Sequence, residues 1–155
     1  MRVSYTPDYH VTLPEKHPFP MGKFPALHQR LLDERLIGEH DVVAPREADW
    51  ADLLLVHDRA YLDALAGGTL SKAAERRMGL PWSRALVKRS RLAVQGTMNA
   101  VYMALQDGMA ANLAGGTHHA FPGHGEGFCV LNDVAVAIRS VRRAGWIRRA
   151  MVIDL

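Results

Sequence analysis

Among the 155 residues there is one cysteine, Cys129. No intrachain disulfide can form, and this usage fits a reducing compartment. No run approaches the ~18 uncharged apolar residues of a membrane span. The opening residues, Met1-Arg2-Val3-Ser4-Tyr5-Thr6, lack the apolar stretch of a secretory signal. The expected setting is cytoplasmic, with no membrane partner. Charge of one sign is scarce too: 19 Lys and Arg stand against 16 Asp and Glu. The basic residues gather at Arg76-Arg77, Arg84 to Arg91 and Arg142 to Arg149, in or beside predicted helices. Solvated helix faces are their ordinary reading, so no nucleic-acid partner is expected. With 48% hydrophobic and 23% charged residues, neither a disordered tail nor a coiled coil fits.

What is present is patterned for an α/β fold. Residues 2 to 6 alternate polar and apolar, as a short strand does. Four prolines between Pro7 and Pro20 mark a loop. Phe24, Leu27, Leu31 and Leu36 give a helical period, with Gly38 as its stop. Val42 to Pro45 suits a strand, Glu47 to Leu55 a helix, and Asp58 to Leu65 another that Gly67-Gly68 ends. Residues 69 to 82 read as a surface excursion. Ser83 is a good N-cap for a long helix to about Asp107, before Gly108. Ala110 to Ala114 then reads as a buried strand. Asn132-Asp133 caps a helix that Gly145 ends, and Ala150 to Ile153 reads as a buried strand with Asp154 at its tip. Strand, loop, helix and strand in that order predict a three-layer parallel sheet covered by helices. Segments 110–114 and 150–154 are expected to be parallel neighbours, or nearly so.

The segment from Gly115 to Cys129 carries the chemistry. Five of the thirteen residues from 115 to 127 are glycine, and three of the chain's eight histidines (His118, His119 and His124) fall within seven positions. Such a backbone can take positive φ and approach a ligand closely. Histidines clustered beyond a strand end suit metal ligation or acid–base work. The Gly123-x-Gly-x-Gly127 spacing is a poor phosphate loop, because Phe128 to Leu131 separate it from the helix. Cys129 reads as an apolar thiol beside the loop more readily than as a nucleophile.

These residues resemble a known family. His118-His119-Ala120, Gly125-Glu126-Gly127-Phe128-Cys129, Asn132-Asp133-x-Ala135 and Val152-Ile153-Asp154-Leu155 are similar to the histone deacetylase and acetylpolyamine amidohydrolase superfamily. His57-Asp58-x-x-Tyr61-Leu62 agrees, and His17-Pro18-Phe19 with Gly22-Lys23 resembles the small class IV branch and its bacterial relatives. The resemblance implies an arginase/deacetylase-like fold and metal-dependent hydrolysis of an acylated lysine or a related acylated amine. It casts His119 as the general base, His118 as its protonated partner at the oxyanion, and Asp154 as the carboxylate behind His118. Asp154 also matches a contributor to a structural monovalent-cation site, potassium being the candidate ion. Gly127 and Phe128 match the wall of an acyl-lysine channel.

The resemblance also implies what these residues lack. The zinc ligands of the family are expected just beyond Leu155, so none is assigned within 1–155. The chain reads as an N-terminal part of a single deacetylase domain, incomplete at its C-terminus. Alone, it is expected to be inactive and prone to self-association through the 150–154 edge. Many eukaryotic relatives carry an acidic rim residue where this sequence has Gly79-Leu80-Pro81-Trp82, which weakens the case for histone-like peptides. The alternatives are an acetylpolyamine or small-molecule deacylase, and a non-catalytic fragment. His124 has no implied role beyond a loop position near the mouth.

Overall fold

The computed structural model describes residues 1–154. The alternating N-terminal segment forms β1 (Val3–Ser4), which pairs in parallel with β2 (Val42–Val43) and β3 (Ala111–Asn112) in the order β2-β1-β3. Val3 lies opposite Val42 and Ala111. Consecutive strand residues point to opposite faces, and Val3 and Ser4 are both fully buried. The central strand is therefore covered on both sides, as a parallel sheet requires. Helices make those layers, and the architecture is three-layer α/β.

Parallel strands need long crossovers, and these carry the helices. α1 (Lys23–Asp33) follows β1, and its His28 ring stacks on Tyr5 with centroids 3.9 Å apart. Arg35, at φ 56°, turns the chain after α1, leaving Leu36 exposed and Ile37 buried. Beyond β2 come α2 (Trp50–Leu53), α3 (Arg59–Gly67), α4 (Lys72–Met78) and α5 (Arg84–Asp107). α5 follows the sequence signals closely. Ser83 Oγ accepts from the Leu86 N–H at 3.0 Å, and Gly108 ends the helix at φ 86°. It packs on β1, β3 and α6 (Asp133–Arg143).

Two expectations need correction. Residues 69–82 are no surface excursion: Ser71 caps α4 through the Ala74 N–H, and Met78 and Leu80 are buried in the core. Two alanines and a terminal Met78 give no visible period, and this hid the helix. Residues 150–153 are not a buried strand either. They have no ladder partner among the described residues, and Met151, Val152 and Ile153 are exposed. An apolar run becomes a strand only where another backbone takes its N–H and C=O groups, and the neighbour of β3 is β1.

Gly96 shows how closely α5 meets the sheet. A Cβ there would lie 2.1 Å from Tyr9 Oη and 2.6 Å from Asn112 Oδ1. At Gly22 an added Cβ meets nothing within 4 Å. Gly96→Ala should destabilise by roughly 1–3 kcal/mol as overpacking, and Gly22→Ala should stay within about 0.5 kcal/mol of neutral. Denaturant titration compares them, and equal effects would contradict this packing.

Candidate active site

The site loop leaves β3 through Leu113 and Ala114, both buried, and turns at Gly115 with φ 78°. Thr117 then anchors it. Its N–H donates to Asp133 Oδ1 at 2.6 Å, and its hydroxyl donates to the Leu131 carbonyl and contacts the same carboxylate at 2.8 Å. Immediately after this anchor, His118 and His119 emerge exposed. Their rings lie 4.1 Å apart, tilted by 49°.

The other end of the loop is the N-terminus of α6. Asn132 Oδ1 accepts from the Ala135 N–H at 3.0 Å, as an N-cap does. Its side-chain amide also donates to the carbonyls of His118 at 3.0 Å and Ala120 at 2.9 Å. One side chain thus ends the helix and ties down the peptide of the first tandem histidine. The Asn132 N–H donates to Nε2 of buried His57 at 2.9 Å. The other ring nitrogen of His57, Nδ1, lies 3.1 Å from the Phe121 carbonyl and 3.3 Å from that of Pro122. Carbonyls only accept, so Nδ1 carries the proton and Nε2 is free to accept. His57 is held as one neutral tautomer.

Gly127 and Phe128 lie on the returning arm of the loop. Both take left-handed backbone, at φ 56° and 64°. A Cβ on Gly127 would lie 3.4 Å from the Cβ, Cγ and Cδ2 atoms of His119, so this glycine sits against the His119 ring. Positive φ is unfavourable for phenylalanine, and its surroundings must enforce it. The Phe128 N–H donates to the Met78 carbonyl at 2.9 Å. Its ring packs against Phe19 at 5.2 Å and His17 at 6.1 Å, over Gly79. His17 is fixed in turn: Nδ1 accepts from the Phe19 N–H, so Nε2–H donates to the Gly79 carbonyl at 2.9 Å.

Asp154 reaches the site, although not from a strand tip. Its Oδ2 lies 3.4 Å from His118 Nε2, with the side chains 72% and 37% exposed respectively. A contact this open contributes little to stability, so its interest is chemical. The structure therefore brings His118, His119, Asp154 and Gly127 together, with Phe128 next in chain. His124 stands apart, stacked on Phe121 at 4.7 Å and 3.2 Å from Glu126 Oε2. Burial pushes the Cys129 thiol up, which suits the apolar reading. Among the described residues, no group of three or more His, Cys, Asp or Glu is placed to hold a metal ion.

Comparison with known proteins now supplies the context. The histone deacetylase domain profile matches residues 17–155. The chain belongs to the histone deacetylase domain family. An uncharacterised protein of Picosynechococcus is 48% identical over 153 residues, covering 99% of this chain and 51% of that protein. The acetoin utilization protein AcuC of Bacillus subtilis is 34% identical over 161 residues, covering 97% and 41%. A crystal structure of a deacetylase homolog from Aquifex aeolicus aligns with a TM-score of 0.73 at 29% identity, covering 93% and 41%. A deacetylase homolog complexed with SAHA aligns at 0.74 and 30%, with the same coverage. This deacetylase-family chain spans about half the length, or less, of the relatives it matches. No helix among the described residues is long and apolar enough to cross a membrane.

Sequence reasoning assigned no role to His57, Thr117 or Asn132's second set of contacts. The His57-Asp58-x-x-Tyr61 run was the available signal, and Asn132 was visible only as a cap. His57 has a pH consequence. Burial lowers its pKa from the ordinary ~6.5, against smaller raising effects of the Pro122 and Phe121 carbonyls and Asp58. As pH falls below ~6.5, the unfolded chain takes up a proton that the folded ring resists. The stabilisation is complete above that pH and is lost on acidification towards the lower folded pKa. Denaturation midpoints should fall from pH 7 to pH 5, with a shallower fall in His57→Gln. Equal slopes would show that His57 is not the titrating group.

Proposed function

We propose that the protein containing this chain hydrolyses the amide of an N-acyl-lysine or a related acylated amine. The observation that carries this reading is the convergence of His118, His119 and Gly127, with Asp154 behind His118. Family membership supports it, as do relatives described as histone deacetylases and AcuC proteins.

His119 is the base that takes a proton from the attacking water and returns it to the leaving amine. Its position against Gly127 holds the ring beside the expected acyl channel. His118 stays protonated and stabilises the developing oxyanion. Asp154 Oδ2 lies 3.4 Å from His118 Nε2 and is the carboxylate behind it in this reading. Phe128 and Gly127 wall the channel, where an apolar surface suits the methylene stem of an acylated lysine.

A divalent metal, zinc in this reading, would supply polarisation of the acyl carbonyl and a more acidic water. A catalytic zinc site normally takes three protein ligands. The described residues do not fit that need, since His118 and Asp154 are a pair and no third donor joins them. The ligands are therefore proposed to lie outside them, and this chain supplies the acid–base side of the site.

A second reading, deacylation of a small amine such as an acetylpolyamine, is favoured by the turn at Gly79 to Trp82. Leu80 is buried there and the Trp82 indole donates to the Leu65 carbonyl at 2.7 Å, so this turn offers no carboxylate to grip a peptide backbone. The test assays the full-length protein on an acetyl-lysine peptide and on an acetylated polyamine. His119→Ala should lower turnover by roughly 10²–10⁴-fold, the usual contribution of a placed acid–base group. Near-normal turnover in that variant would remove His119 from the chemistry, and inactivity of the wild type on both substrates would sink the reading.

A further inference from the structure

We propose that His57 is a positioning residue for the tandem histidines, acting through Asn132. The proposal rests on the deacylase reading above, which names what is being positioned. It goes further by assigning the reaction's geometry to a buried imidazole outside the site.

The loop from His119 to Asn132 leaves the tandem pair and returns to it. Its two arms meet at one short template, residues 57–61 at the start of α3. The Asp58 N–H donates to the Pro122 carbonyl at 3.0 Å. His57 Nδ1–H serves the neighbouring Phe121 carbonyl on the outgoing arm, and Nε2 accepts the Asn132 N–H on the returning arm. The Tyr61 hydroxyl donates to the Val130 carbonyl at 2.7 Å. His57 and Tyr61 thus both fasten the loop, with ring centroids 5.8 Å apart, and both are buried.

Their connections differ. Asn132, whose N–H His57 fixes, donates from its own side chain to the His118 and Ala120 carbonyls, on either side of His119. Two hydrogen bonds in series therefore run from the His57 ring to the peptides that carry the catalytic imidazoles. Tyr61 holds Val130, which makes no such contact. The chemistry of the ring suits the task. A neutral imidazole offers a donor on one side and an acceptor on the other in one rigid plane. An apolar residue of similar size would leave a buried amide and a carbonyl unpaired. The ring faces Asp58 beside it, Tyr61 on α3 and the backbone of the loop, and its hydrogen bonds are made as the neutral form.

A merely structural histidine would affect stability alone, and Tyr61 supplies the matching control. The experiment uses the full-length protein with an acetyl-lysine peptide, and reports kcat and KM per folded enzyme. The variants are His57→Leu (no polar atom), His57→Asn (a donor near Nδ1), His57→Gln (an acceptor near Nε2) and Tyr61→Phe. Displacing reacting groups by an ångström can cost roughly 10²-fold. His57→Leu and His57→Asn should lose turnover on that scale with KM little changed. His57→Gln should recover much of it, and Tyr61→Phe should lose stability but keep kcat. If His57→Leu does not fold, the Asn and Gln pair carries the comparison. Wild-type kcat in folded His57→Asn, or an equal kcat loss in Tyr61→Phe, would overturn the proposal. Hydrogen exchange of residues 118–120 separates this proposal from the reading beneath it. Faster exchange in His57→Asn but not in Tyr61→Phe supports the positioning role even where the wild type shows no deacylation. Equal exchange in the two variants overturns it.

Discussion

The buried carboxylate of Asp133 is the interaction on which the rest depends. It has no exposed surface, and an ionised carboxylate taken out of water is costly unless it is fully partnered. Here it is partnered by the Thr117 N–H, the Thr97 hydroxyl and the Val134 N–H, with the Thr117 hydroxyl in contact at 2.8 Å. It also sits in the first turn of α6, where the helix dipole favours negative charge. One side chain thereby joins the long helix α5, the start of α6 and the residue just before the tandem histidines. The network continues to the sheet. Asn112 donates to the Thr97 hydroxyl and the Ala93 carbonyl, and accepts from the Tyr9 hydroxyl. Gly96 leaves the space for that junction.

This arrangement divides the loop between anchors and chemistry. Thr117 at one end and Asn132-Asp133 at the other are satisfied within the protein, and the peptide of His118 is tied to Asn132. The imidazoles of His118 and His119 remain exposed. For the proposed hydrolysis, rigid backbone beneath exposed imidazoles is what catalysis by positioning requires. Phe128 extends the same logic. Its unfavourable φ is imposed by the Met78 carbonyl, Phe19 and His17, so α4 and the proline-rich segment before α1 fix the Phe128 ring.

Much of this was legible in the sequence wherever the signal was local. The N-caps Ser83 and Asn132, the stop at Gly108 and the period of α5 depend on neighbours a few residues away, and each forms as read. α4 was missed because two alanines and a terminal Met78 make no pattern. The 150–153 segment was misread because strand formation depends on a partner backbone that the segment itself cannot announce. The tandem histidines stood out by their clustering in a glycine-rich loop, but their separate roles, and Gly127-Phe128 as a wall, came only through family resemblance, since the spacing alone fits several chemistries. The His57-Asp58-x-x-Tyr61 run pointed to the family but gave His57 no role. A buried histidine looks the same in sequence whether it fills space or holds a loop, and only the positions of the Phe121 carbonyl and the Asn132 amide separate the two.

The account stands on the claim that the Asp133 network holds the histidine loop in place. Hydrogen exchange on the full-length protein, comparing wild type with Asp133→Asn, tests it most directly. The amide exchanges one acceptor oxygen for a donor and leaves part of the Thr97 and Thr117 set unpaired. Residues 115–121 should exchange faster in the variant, while the interior of α6 at 136–141 keeps its protection. Unchanged exchange at 115–121 in a folded variant would contradict the account.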